Sequence, residues 1–403
     1  MRKLSLFIAL IAMSGCLKEN STYADTKLIK KIGAQLKGSI ILYNDSKTDK
    51  LVSPRTAEMS AVKMVPASDW TSGFYPGELW MMYELTKNEF WKENALKFTL
   101  PIEQEKWNGK THDMGFKMYS SFGRAYFATK NPKFRDVLIQ SAKTLATRFN
   151  PNVGCIRSWD FNSKVWGFPV IIDNMMNLEL LFWAAKETGN VSYKNIAIIH
   201  AKTTLKNHFR ADYSSFHVVD YKPRDWRSPK KQTYQGYSDE SAWSRGQAWA
   251  LYGYTMVYRE TGDDKYLEHA EKIATYILNH PNLPDHKIPF WDFNDPKIPN
   301  VPFDASAGAI VASALYELST FSDKGAEYLE TANHIIKTLS IPKFLSEGGS
   351  NNGFLLKHST GSKPGNSEVD VPLVYADYYY IESLLRRKNL IKIKKYMKKK
   401  TKY

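Results

Sequence analysis

Apolar residues recur along most of this chain at the three- and four-residue spacing of amphipathic helices. A similar short turn ends several of these predicted helices, as in Tyr83-Glu-Leu-Thr-Lys-Asn88, Ala185-Lys-Glu-Thr-Gly-Asn190 and Tyr258-Arg-Glu-Thr-Gly-Asp263. A Gly or Asn after a helix permits the left-handed conformation that ends it, and the next helix begins immediately afterwards. A further copy begins at Phe127, and a weaker one begins at Tyr316. A recurring helix–turn–helix unit predicts stacked helical hairpins.

The periodicity predicts about twelve helices, and six of them are apolar on nearly every side, for example over 175–185 and 247–258. Helices that are apolar all round must be enclosed by other elements, whereas their partners have one polar face. Six enclosed helices alternating with six outer ones predict an all-α (α/α)6 toroid, and an open helical solenoid is the competing architecture. The predicted helices span 28–45, 73–87, 90–104, 113–129, 134–149, 173–188, 193–209, 244–261, 264–280, 304–320, 325–339 and 374–387.

Polar and aromatic residues that are unusual in a helical core lie at the starts of the six predicted inner helices. These segments are 69–74, 112–116, 173–177, 238–247, 303–308 and 375–378. In a toroid the N-termini of all inner helices face one opening, where the positive ends of their dipoles favour anions. The sequence therefore predicts an active site at this loop-rich opening.

Two aspartates at this opening are candidates for catalysis. Asp113 is flanked by His112, and Asp173 follows an apolar stretch over 166–172 that would desolvate its carboxyl group and raise its pKa. A carboxylic acid that stays protonated near neutral pH can act as a general acid, and two carboxyl groups in different environments are the basic arrangement of a glycosidase. Four further aspartates can each be interpreted as helix N-caps: Asp69, Asp239, Asp304 and Asp377.

Aromatic and cationic side chains near the same segments could bind a sugar acid. Arg245 could bind a substrate carboxylate through its fork of N–H donors, the alternative being an ion pair with Asp239 or Glu240. The nine His residues show no zinc-binding spacing, so neither a metal nor a cofactor is expected. Four indole faces could stack on sugar rings or equally belong to the core: those of Trp70, Trp159, Trp243 and Trp249.

Four segments together carry a resemblance to a known family: Thr111-His-Asp-Met-Gly-Phe116, Ile171-Ile-Asp-Asn-Met-Met-Asn177, Ser241-Ala-Trp-Ser-Arg-Gly-Gln-Ala-Trp-Ala-Leu-Tyr-Gly253 and Ala376-Asp-Tyr-Tyr. With them, nearly the whole mature chain resembles the unsaturated glucuronyl hydrolases of glycoside hydrolase family 88. The family fold is the (α/α)6 barrel, which agrees with the independent count of helices.

The resemblance implies an unusual hydrolysis of a lyase product. Polysaccharide lyases leave a non-reducing uronate with a C4=C5 double bond, which is an enol ether. In the family, an aspartic acid protonates C4, water adds at C5, and the resulting hemiketal opens and releases the sugar. Asp173 matches the acid/base, and Asp113 matches the second catalytic aspartate, which orients or stabilises the reacting ring. The same matching assigns substrate binding to His217, Thr233, Gln235, Arg245 and Trp249, and more loosely to Trp70 and Trp159.

A Gly/Ser-rich loop before the last inner helix, Ser359-Thr-Gly-Ser-Lys363, resembles the place where some family members receive a sulfate group. Ser359, Ser362 and Lys363 would supply the hydroxyls and the lysine, and an ordinary turn is the alternative. If the loop binds sulfate, the substrate comes from a sulfated glycan such as a glycosaminoglycan or an algal polymer.

The N-terminus predicts export and a lipid anchor. A positive start, a short apolar run and small residues lead into Cys16, in the order of a lipoprotein signal peptide, with simple cleavage nearby as the alternative. The predicted divisions are a signal peptide (1–15), a linker (16–26), a catalytic domain (27–387) and a basic tail (388–403). Much of the net charge of +15 belongs to that tail, which holds eight lysines and no acidic residue. We expect a lipid-anchored protein of the bacterial cell envelope, facing the periplasm or the outside, with no nucleic-acid partner.

Three other functions compete with this interpretation. An unsaturated rhamnogalacturonyl hydrolase has the same fold and chemistry but pectic substrates. A sugar epimerase on the same toroid would need paired histidines at the opening. A non-catalytic glycan-binding lipoprotein would need aromatic platforms but no acid.

Overall fold

Twelve α-helices make up most of the computed structural model, which describes residues 20–58, 61–222 and 225–400. In chain order they are α1 (Asn20–Ser46), α2 (Phe74–Thr86), α3 (Glu89–Thr99), α4 (Arg124–Thr129), α5 (Pro132–Ala146), α6 (Asn174–Thr188), α7 (Val191–Asn207), α8 (Ser244–Thr261), α9 (Asp264–Asn279), α10 (Ala305–Leu318), α11 (Gly325–Leu339) and α12 (Val374–Lys400). A 3-10 helix (Leu100–Trp107) follows α3, and a π-helix (Gly115–Gly123) leads directly into α4.

The even-numbered helices form a closed inner ring. Each packs against the next along the chain, with the π-helix acting as part of α4, and α12 packs against α2. This closure confirms the (α/α)6 toroid and excludes the open solenoid.

Burial follows the apolar pattern of each layer. Every residue of the inner helix α10 except Glu317 is buried, because helices surround it on all sides. The outer helix α9 buries only Tyr266, His269, Ala270, Ile273, Ala274 and Ile277, a stripe at helical spacing. The contrast between all-round and one-sided burial confirms the predicted division into two layers.

The recurring turns join inner to outer helices at one end of the toroid. The residues after α2, α4, α6 and α8 are left-handed, with φ values of 56–74° at Lys87, Lys130, Gly189 and Gly262. The next residue in each case caps the following helix, and its side-chain oxygen accepts a backbone N–H. Because these turns are short, no long loop contributes side chains at this end.

The strands lie in the connections that lead from an outer to an inner helix, at the opposite end. They form antiparallel pairs: β1 (Ser53–Glu58) with β2 (Ala61–Val65), β3 (Phe149–Asn150) with β4 (Cys155–Ile156), and β8 (Ser359–Ser362) with β9 (Ser367–Val371). A three-stranded sheet holds β5 (Pro169–Ile171), β6 (Val218–Lys222) and β7 (Asp225–Gln232) in that order. The loop-rich opening predicted from the sequence is built from these strands.

Two helices extend beyond the ends predicted for them. Helix α1 already begins at Asn20, within the segment predicted as a linker (16–26), and α12 continues to Lys400, through most of the predicted basic tail. The signal peptide (1–15) and Cys16 lie outside the described residues. Within the described part of the chain, no helix combines the length and apolarity needed to cross a membrane.

Candidate active site

The two candidate aspartates lie at the starts of neighbouring inner elements that touch each other. Asp113 precedes the π-helix, and Asp173 is the residue before α6. The backbone N–H of Phe116 donates to Asn177 Oδ1 at 3.0 Å and links the two elements. A Cβ atom on Gly115 would lie 2.6 Å from Asn177 Cα, so only glycine permits this approach. The close contact brings both carboxyl groups to the same part of the opening.

Asp173 occupies an N-cap position without acting as a cap. Its side chain accepts no capping hydrogen bond, and Oδ1 is buried with no partner in the described structure. Burial, together with the smaller effect of the charge of Asp113, raises the pKa of Asp173 to about 8, against the lowering effects of a backbone hydrogen bond and Arg245. This contact pattern argues against the capping interpretation and favours a protonated carboxyl group.

Asp113 lies in a more polar environment. Thr111 Oγ1 donates to Asp113 Oδ2 at 2.7 Å, and His112 Nε2 lies 3.2 Å from Oδ1. Burial lowers the pKa of His112, so its imidazole is neutral near pH 7. Asp113 and Asp173 therefore have the contrasting surroundings expected of two glycosidase carboxyl groups.

The imidazole ring of His217 has one nitrogen without a hydrogen-bond partner among the described residues, and the contacts of the other nitrogen define which of the two carries the proton. Its Nδ1 accepts the backbone N–H groups of Tyr234 and Gln235, both at 3.1 Å, so the proton of the neutral ring is on Nε2. Burial lowers the pKa of His217 to about 3. Among the described residues Nε2 has no partner, although it is buried. His217 is therefore a neutral hydrogen-bond donor.

Arg245 forms an ion pair that neither sequence interpretation named. Its Nη1 lies 2.8 Å from Asp304 Oδ2, and both residues are almost fully buried. The guanidinium also donates to the carbonyl oxygens of Thr360 and Gly361, so most of its donor capacity is used within the protein. The alternative interpretation, an ion pair with Asp239 or Glu240, is wrong in its partner, because the carboxylate comes from the start of α10. Arg245 anchors β8 to the site and acts on Asp173 through its charge.

The two other polar residues of the predicted subsite hold loops at the opening. Gln235 Nε2 donates to the Gly361 carbonyl at 3.0 Å, which adds a second tie to β8. Thr233 Oγ1 accepts the Gly236 N–H at 2.8 Å. Both side chains are partly exposed, so each could also reach a ligand.

Of the four aspartates interpreted as helix N-caps, only Asp304 caps the helix that directly follows it in the described structure. Asp304 accepts the backbone N–H groups of Ser306 and Ala307 at the start of α10. The other three bind backbone N–H groups in turns or loops: Asp69 that of Thr71, Asp239 that of Thr233, and Asp377 those of Leu355 and Leu356.

Three of the predicted tryptophans differ in their exposure and in the rings that they contact. Trp249 is 1% exposed and packs against Phe116 and Tyr379, which places it in the core beneath the site. Trp70 is partly exposed and packs at the opening against Tyr375, with 4.9 Å between ring centroids. Trp243 is buried against His217 at 4.5 Å. Their contacts with a ligand stay predictions.

Trp159 belongs to a cluster of four rings, which we call the aromatic wall: Trp159, Phe161, Trp166 and Tyr234. One face of Trp159 is covered by Phe161, stacked at 4.8 Å with an interplanar angle of 28°. The exposed members are Phe161 (47%) and Tyr234 (45%). Sequence reasoning missed both, because the two residues meet only through the fold; their proximity to Trp159 and Gln235 was the available signal.

The predicted sulfate loop is a β-hairpin at the edge of the site. Ser359 is fully buried with Oγ unpaired in the described structure, whereas Ser362 and Lys363 are partly exposed. Lys363 Nζ lies 3.6 Å from Asp295 Oδ2 and 4.9 Å from the Trp291 ring centroid. The loop does form a turn, as the alternative interpretation required. Its hydrogen bonds with Arg245 also place the hairpin beside the site.

Fold and site together define a glycoside hydrolase of the toroid class, with two unlike carboxyl groups at one opening. No protein-family profile matches the chain. An unsaturated glucuronyl hydrolase of Formosa agariphila is 51% identical over 341 residues, which are 84% of this chain and 85% of that protein. The chain belongs to the unsaturated glucuronyl hydrolases. Membership in this enzyme family argues against the non-catalytic glycan-binding alternative.

Solved structures agree with this assignment. A crystal structure of an unsaturated glucuronyl hydrolase specific for heparin is 46% identical, with a TM-score of 0.87, and the match covers 91% of this chain and 98% of that one. A mutant of the Streptococcus agalactiae enzyme, complexed with dGlcA-GalNAc6S, is 26% identical, with a TM-score of 0.76 and coverage of 90% and 92%. The similarity extends over almost the entire toroid.

Proposed function

We propose that Asp173 is the general acid with which this chain removes a 4,5-unsaturated uronic acid from the non-reducing end of lyase-generated acidic oligosaccharides. The observation that carries the proposal is the environment of Asp173, whose Oδ1 is buried and unpaired among the described residues and whose pKa is raised to about 8. Protonation of C4 of the enol ether and addition of water at C5 give a hemiketal, which opens and releases the remaining sugar.

The neighbouring residues support this step without supplying the proton. Asp113, held by Thr111, keeps the pKa of Asp173 high and orients or stabilises the reacting ring. His217 offers its Nε2 proton to a substrate oxygen, and the positive helix ends at the opening favour a carboxylate. Arg245 contributes its charge and the position of β8.

The proposal is tested by ultraviolet absorbance. Hydration destroys the conjugated C4=C5 double bond, so purified protein should erase the absorbance of lyase-generated disaccharides. A panel that includes glycosaminoglycan and pectic lyase products would also identify the preferred uronate and test the rhamnogalacturonyl alternative. Unchanged absorbance on every product would refute the proposal.

We propose further that the substrate is sulfated, with the β8–β9 hairpin beside the sulfate group. Arg245 and Gln235 both hold Gly361, so this hairpin adjoins the predicted uronate subsite. The partly exposed Lys363 provides a positive charge there. Two similar enzymes, one specific for heparin and one complexed with dGlcA-GalNAc6S, support a sulfated glycosaminoglycan as the substrate class.

Replacing Lys363 by Ala should lower kcat/KM about tenfold more for a sulfated than for an unsulfated disaccharide, since a charged hydrogen bond is lost. The measurement is the ratio of the two kcat/KM values in the wild type and the variant. Lys337→Ala, on the outer helix α11, is the matched control and should leave the ratio unchanged. Equal losses on both disaccharides in Lys363→Ala would exclude a sulfate site here.

We also propose that Cys16 carries a lipid that anchors the enzyme to the bacterial cell envelope, in support of which the chain reads Met13-Ser-Gly-Cys16 after an apolar run. Cys16→Ser should move the protein from the membrane fraction to the soluble fraction and abolish incorporation of labelled fatty acid. Cys155→Ser, which changes a buried thiol, is the matched control. Membrane recovery of Cys16→Ser equal to that of the wild type would contradict the anchor.

A further inference from the structure

The aromatic wall presents two exposed rings at a fixed separation. The ring centroids of Phe161 and Tyr234 are 5.9 Å apart, at an interplanar angle of 50°, and Trp159 lies behind both. Exposed aromatic rings that converge in this way form a shallow cradle. The flat C–H faces of a sugar ring fit such a surface, because they are apolar while the hydroxyl groups remain in water.

The backbone fixes both rings in place. Asn162, with φ of 51°, forms a tight turn in which its carbonyl oxygen accepts the N–H groups of Val165 and Trp166. This turn holds Phe161 against Trp166 at 5.9 Å. Tyr234 is held from the other side, because its N–H donates to His217 Nδ1. The cradle is therefore ordered before any ligand arrives, which lowers the entropic cost of binding.

The aromatic wall is continuous with the candidate active site. The edge of Trp159 meets the ring of His217 at 6.2 Å between centroids, and Phe161 and Tyr234 lie on the solvent side of Trp159. The unsaturated uronate exists only at the non-reducing end, so every other sugar residue must extend from the site towards solvent. A surface that runs outward from His217 is where such residues would lie.

We infer that Phe161 and Tyr234 bind a sugar residue beyond the disaccharide unit, so that the enzyme favours lyase products longer than disaccharides. The inference rests on the proposed function, because it places the uronate beside Asp173 and His217. Lys164, exposed on the turn that carries Phe161, provides a positive charge suited to an acidic oligosaccharide. Phe161 and Tyr234 are thus specificity-determining residues.

The test compares kcat/KM for an unsaturated disaccharide and tetrasaccharide from the same lyase digest. The wild type should prefer the tetrasaccharide, and Phe161→Ala and Tyr234→Ala should each lower the tetrasaccharide-to-disaccharide ratio by roughly three- to tenfold, as loss of one aromatic contact predicts. Tyr234→Phe, which keeps the ring, should preserve the ratio. Phe127→Ala, at an exposed ring on α4, is the matched control.

The outcomes separate this inference from the proposed function. Wild-type turnover of both substrates, with the same ratio in the wild type and the two alanine variants, would overturn the role of the wall. No wild-type turnover of either substrate would instead refute the proposed function. Phe161→Ala keeps the test decisive if Tyr234→Ala perturbs His217, because Phe161 makes no backbone contact with that histidine among the described hydrogen bonds.

Discussion

The Asp173→Asn variant is expected to lose roughly a hundred- to ten-thousandfold in kcat, the usual contribution of a general acid. An amide cannot transfer a proton to carbon, yet it occupies nearly the same volume as the carboxyl group. Since Asp173 makes no capping hydrogen bond, the substitution removes no contact that holds α6. The decay of enol-ether absorbance gives the rate, and circular dichroism with urea unfolding reports on the fold.

A suitable control is Asp304→Asn, the same substitution at the start of α10. Asp304 caps its helix and forms the buried ion pair with Arg245, so this variant should lose about 3–5 kcal/mol of unfolding free energy. The two variants should therefore separate activity from stability. Retention of activity in Asp173→Asn would show that the carboxyl group of Asp173 is not the acid, whereas unfolding of the variant would support the capping interpretation.

The same assignment fixes the sign of a pH dependence. As the proposed general acid, Asp173 must be protonated for catalysis, so kcat/KM should fall as the pH rises through about 8, the raised pKa of this group. Removing the negative charge of Asp113 with Asp113→Asn lowers the pKa of Asp173, so its titration should move to lower pH. Carbon NMR of labelled aspartate can follow that titration even if Asp113→Asn is inactive. An unshifted titration would mean that the two carboxyl groups do not interact.

The sequence predicted the toroid well because its inner and outer helices differ in the pattern of apolar residues, which is a local property of each segment. All-round apolarity of segments such as 247–258 and the left-handed stops at Gly189 and Gly262 are visible without any tertiary information. The helix ends were less predictable. The segment from Lys388 to Lys400 reads as a polar tail, but lysine is a good helix former, and α12 simply continues through it. The π-helix before α4 was also missed, because a period of 3.6 residues does not reveal it.

Site residues were predictable where local chemistry marked them and unpredictable where the fold assembled them. The apolar stretch before Asp173 correctly predicted that its carboxyl group is desolvated. By contrast, the ion pair of Arg245 with Asp304 joins residues 59 positions apart, and local spacing suggested nearer partners. The aromatic wall was hidden for the same reason, since Phe161 and Tyr234 come from different loops. Long-range pairing is a property of the ring of helices and not of any one segment.

The inner helices line a partly open cavity of about 220 Å³, whose walls include Phe116, Tyr379 and a network of ion pairs. Arg386 Nη1 lies 2.5 Å from Glu317 Oε2 and also donates to the Ser313 carbonyl, while its Nη2 donates to Tyr252 at 2.6 Å. Arg259 binds the other oxygen of Glu317 at 2.6 Å. The network links α8, α10 and α12. It should therefore stabilise the ring of inner helices, whose strand-bearing end carries the candidate active site.

Removing one member should therefore be costly. Arg386→Met keeps most of the apolar stem but leaves Glu317 paired only with Arg259 and Glu382 paired only with Arg124. Because charged hydrogen bonds are lost and an excess of negative charge remains, we expect a loss of about 2–3 kcal/mol in the free energy of unfolding. Arg135, which pairs with Glu187 at 2.6 Å on the more exposed outer layer, is the matched control, and Arg135→Met should cost less than about 1 kcal/mol. Urea unfolding followed by tryptophan fluorescence measures both. Equal costs would mean that solvent reaches the inner network and that packing, without these ion pairs, holds the ring closed.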